Sequence, residues 1–244
     1  MHHFSQLHYL PLPLLFFLLL VGAFLVLVFL IEIRVLRFAY MSLGISSHMA
    51  FLLLFGSLIG SYVNIPIAEL PPEHIMTART IYYFGMQYNV PQVVDWPGTV
   101  IAINVGGAVI PILLSLYLVI RSRLWIESIV ATALVTVVIH ALARPVPGVG
   151  IAIPTFVPPI ATVIVACLVS FRNAAPLAYI AGSLGTLIGA DLLNLSKVQG
   201  LGAPIASIGG AGTFDGIFVT GMLALLLATL IGGPARPAAQ RRAA

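Results

Sequence analysis

The chain has 244 residues, of which 60% are hydrophobic and only 7% charged, with a mean hydropathy of +1.11. Such a composition excludes an ordinary water-soluble domain and indicates a polytopic membrane protein whose main solvent and first partner is the lipid bilayer. The net charge of +4 comes from scattered arginines rather than a basic stripe, so it implies no nucleic-acid partner.

In chain order, His2, His3 and His8 read as a frayed terminus rather than a metal cluster. The apolar run 10–31 lacks a basic leader and exceeds the ~7–15 residues of a signal-peptide core, so it reads as a span and not as a cleaved signal. At about 20 apolar residues per span, six further spans follow at 43–63, 99–120, 124–143, 151–171, 175–195 and 213–233. The expected fold is therefore an all-α bundle of about seven transmembrane helices, with 1–244 forming one domain. Between the second and third spans, 64–98 is a small polar-rimmed loop; its stretch 80–90 is rich in β-formers and suggests short strands covering the bundle mouth.

Two segments resist regular helix. The run 144–159 carries five prolines and predicts irregular backbone at the start of the fifth span, which is tolerated at membrane depth only inside protein or along a cavity. The glycine-rich link 200–212 is equally apolar and suits a segment dipping back toward the bilayer. In the sixth span Gly182, Gly185, Thr186, Gly189 and Ala190 recur three or four apart, a small-residue face that lets helices approach closely. Ile103-Asn-Val-Gly-Gly-Ala and Ala206-Ser-Ile-Gly-Gly-Ala form a faint internal echo, at most a parallel duplication. Cys167 is alone in an apolar run, so no disulfide is implied.

Lys and Arg alternate between loops. Arg34, Arg37, Arg121, Arg123, Arg172, Arg236, Arg241 and Arg242 fall on one side, against Arg79, Arg144 and Lys197 on the other. By the positive-inside rule the N-terminus lies outside and the C-terminus in the cytoplasm of a prokaryotic inner membrane. Glu32 and Glu127 then sit near arginines at the inner surface, where ion pairing and snorkelling account for them.

Asp191 and Asp215 are different. A carboxylate at membrane depth costs about 2.5–3.5 kcal/mol or more, which implies a partner or a task. Asp215 follows Thr213 at a helix start, where capping alone could account for it. Asp191 lies near a helix C-terminus, where the dipole repels it, so it needs a partner such as Arg144 or Lys197. With His140, Asn104 and Asn194 these groups converge toward the outer face and outline a polar cavity.

Gly212-Thr-Phe-Asp-Gly-Ile-Phe, with Asp191 late in the sixth span and Asp215 opening the seventh, resembles the catalytic motifs of presenilin and signal-peptide-peptidase type intramembrane proteases. Phe214 replaces a motif glycine, no tyrosine precedes Asp191, and the family's Pro-Ala-Leu motif has no counterpart. A wider resemblance rests on Asn104-Val-Gly-Gly-Ala-Val-Ile-Pro, Gly189-Ala-Asp-Leu-Leu-Asn-Leu and the run 202–218. It points to a prokaryotic multi-pass family known only as a domain of unknown function, which supplies no activity.

Three classes of function fit. An intramembrane hydrolase would use Asp191 and Asp215 as acid and base on a peptide, and the dyad placement favours it. A small transporter or channel would pass an ion or protons by Asp191, Asp215, His140 and Asn104, with Arg144, Asn194 and Thr213 lining the path. A structural subunit would need only ion pairing and packing. No cofactor is indicated, although His140, Asp191 and Asp215 would suit Mn, Fe or Zn.

Overall fold

The computed structural model describes residues 43–147, 150–210 and 216–232, with Gly22 and Leu25 ahead of them. The expected first span, the N-terminal histidines, Thr213 and Asp215 lie outside the described residues. Among those described, helices dominate, and three helical segments are long and apolar enough to cross a membrane: Val105–Ser122, Trp125–Leu142 and Val157–Lys197. The last covers the fifth expected span from Val157 onward and all of the sixth.

Helix α1 (Ser47–Gly60) is capped by Ser46, whose hydroxyl accepts from Met49 N. It leads into β1 (Asn64–Glu69) and a long antiparallel hairpin, β2 (Glu73–Tyr83) and β3 (Met86–Trp96). The sequence anticipates short strands at 64–98, whereas the hairpin runs eleven residues a side, and β1 and β4 join a second sheet. Phe84 and Gly85, both at positive φ, make the two-residue turn that matches strand twist. Strand β4 (Val100–Asn104) passes through a π-helical turn, Val105–Val109, into α2 (Ile110–Ser122). Helix α3 (Trp125–Leu142) follows a tight turn at Arg123, then β5 (Arg144–Val146) and β6 (Gly150–Ala152) form a short ladder. Helix α4 (Val157–Ser170) opens on Pro158 and Pro159, which occupy first-turn positions where the missing N–H costs nothing. Helix α5 (Ala174–Thr186) continues as a π turn, Leu187–Asp191, and a 3-10 turn, Leu192–Lys197. Strand β7 (Ile205–Ile208) precedes α6 (Gly216–Gly232).

The expectation of a helical bundle with strands only at 64–98 is thus corrected in part. Proline and glycine at 144–159 and 200–212 break helix, and the freed backbone groups pair as β-ladders. The glycine-rich link forms β7, which lies parallel to β4 in a three-stranded sheet of order β1-β4-β7. The two echoed segments are therefore neighbours, with Ile103 opposite Ile208. Gly107 lies against Gly209 so closely that a Cβ there would strike the Gly209 carbonyl.

Helix α5 is the axis of the bundle. Nearly every residue from Ala174 to Thr186 is buried, against α2, α3, α4 and α6. The small-residue face explains how: Gly182 meets the Gly221 backbone of α6, and Gly185 and Gly189 meet α3 at Val135 and Thr136. Helix α3 buries Ala131, Val135 and Ile139 and presents Ile126, Ile129 and Val137 outward, as a lipid-facing helix does.

Candidate functional site

The seven strands among the described residues lie at one end of the helices, where α1, α3 and α5 finish and α2, α4 and α6 begin. Two polar networks are built there.

The first ties the sheet to the bundle. Asn104 ends β4 fully buried; its Oδ1 accepts from Gly107 N at 2.8 Å, capping the π turn, while its Nδ2 donates to Ser61 O at 2.7 Å and Asn64 Oδ1 at 3.1 Å. The Ser207 hydroxyl lies within 2.7 Å of Asn64 Oδ1 and 2.6 Å of Gly210 O, and its one proton serves one acceptor at a time.

The second sits on the bend of α5. A π turn followed by a 3-10 turn strips helix carbonyls of their usual partners. Asn194, with no exposed surface, repairs them: its Nδ2 donates to Gly189 O and Ala190 O, each at 2.9 Å. With both amide protons so used, His140 Nδ1, 3.3 Å from Gly189 O, is best placed as a third donor there. Lys197 Nζ donates to Asn194 Oδ1 at 2.8 Å. Arg144, the other cation considered for Asp191, is exposed on β5.

Asp191 closes the π turn, and its Oδ2 accepts from Gly209 N at 2.7 Å. The partner that a carboxylate at this depth requires is thus, at least in part, a backbone N–H on the far side of the site. Its position has structural meaning. Pro204 O accepts from Val100 N, so Pro204, Ala206 and Ile208 turn their backbone groups to β4, and Ile205, Ser207 and Gly209 turn theirs the other way. Asp191 therefore occupies the end of the β7 edge that faces away from β4. A cavity of about 180 Å³ runs along that edge, bounded by β7, Gly150 and Ile151 of β6, and Asp191. A second, of about 290 Å³, lies on the other side of Asp191 among Thr155, Thr186, Thr220 and Gly216. The Thr186 hydroxyl is buried with no hydrogen-bond partner among the described residues.

The structure thus brings His140, Asn194 and Lys197 together at the bend that carries Asp191, and holds Asn104 at the end of β4 in the neighbouring sheet. Thr213 and Asp215 are outside the described residues, but Gly216, which follows Asp215 in the chain, lines the second cavity. No cluster of three metal-ligating His, Cys, Asp or Glu side chains occurs among the described residues. The contribution of the Gly209 amide is not foreseen from the sequence, and the one signal for it is the weak Gly-Gly-Ala echo.

No curated protein and no solved structure matches the chain. A family match spans residues 58–227, from the end of α1 through most of α6, and so takes in both polar networks. By that match, the chain belongs to the family described as "Protein of unknown function (DUF1614)".

Proposed function

We propose that this chain is an intramembrane hydrolase of the aspartyl type, in which Asp191 and Asp215 act on a peptide bond held in extended form. One carboxylate in its ionised form takes a proton from water as the water oxygen attacks the carbonyl carbon; the other, protonated, donates to the carbonyl oxygen. Proton transfer to the amide nitrogen then releases the two fragments. The observation that carries this reading is the seat of Asp191 at the open edge of β7. A peptide adding to that edge would pair with the outward-facing groups of Ile205 and Ser207 and run toward the carboxylate. Gly216, the residue that follows Asp215 in the chain, lines the adjoining cavity. A seven-span arrangement in a prokaryotic cytoplasmic membrane, N-terminus outside, accompanies this reading.

The test is cleavage of an apolar peptide by the purified chain in proteoliposomes. Asp191→Asn keeps an acceptor for Gly209 N while removing the charge, so the folded variant should lose cleavage by at least a hundredfold, as should Asp215→Asn. Full activity in either variant would sink the proposal.

A second reading rests on a different observation. Thr162 and Thr186 bury hydroxyls without partners among the described residues, and Thr186 opens onto the Asp191 cavity, which suits a file of water and hence a proton or cation path. Proton flux in the same liposomes, abolished by Asp191→Asn in the absence of any peptidase activity, would favour it.

A further inference from the structure

At the opposite end of the helices, α1 and α2 leave an apolar groove of about 520 Å³ between them. Its walls are Ile45, Met49 and Leu53 on one side and Ile110, Leu113 and Tyr117 on the other. At its mouth stands Arg121. The guanidinium lies 5.7 Å from the Tyr117 ring centre and donates to the Tyr117 hydroxyl through Nη1. No carboxylate lies within ion-pair distance of it among the described residues. Gly44, at φ +73°, makes room for it, since a Cβ there would come within 2.7 Å of Nη2. An arginine held in place by an aromatic ring and a glycine, with most of its donors unspent among the described residues, is arranged to bind a phosphate.

The dimensions fit a lipid. From Ile110 to Arg121 the helix rises about 16 Å, close to half of a hydrocarbon core about 30 Å thick. This is also the end that gathers Arg121, Arg123 and Arg172, the side on which anionic headgroups are attracted. We propose that the groove between α1 and α2 is a binding site for an anionic glycerophospholipid, one acyl chain lying between Met49 and Leu113 and the phosphate on Arg121.

Native mass spectrometry of the full chain in detergent, titrated with dioleoyl phosphatidylglycerol or dioleoyl phosphatidylcholine, tests this. The anionic lipid should be retained in preference. Arg121→Gln should weaken its retention roughly five- to tenfold, Arg121→Lys should weaken it less, and Arg123→Gln should leave it unchanged. Equal retention of both lipids, or insensitivity to Arg121→Gln, would overturn the assignment. A photo-reactive residue in place of Leu113 reads the occupant directly. A lipid adduct supports the site, whereas a link to residues 10–31 or to a second copy of the chain overturns it.

Discussion

At the scale of single residues, the buried amides do most to explain the architecture. Asn104 and Asn194 each sit where a helix departs from regular geometry, one before a π turn and one after it, and each supplies the hydrogen bonds that the departure removes. In a low-dielectric interior a carbonyl left without a donor costs about 1–3 kcal/mol. Asn194→Leu keeps the volume and removes the donors to Gly189 O and Ala190 O. It should therefore destabilise the protein by about 2–4 kcal/mol, read as a lower unfolding midpoint in detergent. An unchanged midpoint would mean that other groups or water satisfy these carbonyls. The same bonds bear on Asp191, because the bend that Asn194 holds is what aims its carboxylate at Gly209.

At the scale of elements, the glycines of α5 were readable in advance, since period alone puts Gly182, Gly185 and Gly189 on a packing face and composition excludes lipid contact as their purpose. Their cost is also assignable. A Cβ at Gly189 would stand 2.6 Å from the Thr136 carbonyl oxygen, and backbone cannot step aside. Gly189→Ala should cost about 1–3 kcal/mol by forcing α3 and α5 apart. In α1, Gly56 has only the flexible end of Ile110 nearby at 3.4 Å, so Gly56→Ala should be neutral or stabilising by up to about 1 kcal/mol. The unfolding temperature should fall for Gly189→Ala and hold or rise for Gly56→Ala, and a fall in both would refute the packing account. The strands were harder to foresee. Proline at 144–159 announces broken helix, but nothing local says that β4 and β7, a hundred residues apart, pair; that register is a tertiary decision. The β2–β3 hairpin was seen only as β-formers because Phe84-Gly85 is not the Asn-Gly or Asp-Gly pair that normally marks such a turn. Asp191 could be singled out by its charge in an apolar run, yet its partner, a backbone amide, leaves no trace in residue types.

At the scale of the whole molecule, the six described helices alternate in direction, so every strand gathers at one end and the short turns at the other. The turn end carries Arg121, Arg123 and Arg172; the strand end carries Glu69, Asp95, Arg79, Arg144 and Lys197, and the hairpin's far tip exposes Tyr82, Tyr83 and Phe84. Counted by loop over the sequence, eight arginines fall on the side of Arg121, Arg123 and Arg172, against Arg79, Arg144 and Lys197 on the other, so the turn end should face the cytoplasm and the hairpin the outside. This makes a sidedness prediction independent of function. In a Cys167→Ala background, a membrane-impermeant maleimide added to intact cells should label Phe84→Cys. It should reach Arg123→Cys, at the α2–α3 turn, only after the membrane is opened. Labelling of both from outside would contradict the alternation of helices across the membrane. Labelling of Arg123→Cys alone would invert the protein, placing the Asp191 cavities and the open edge of β7 at the cytoplasmic face, within reach of cytoplasmic rather than external peptides.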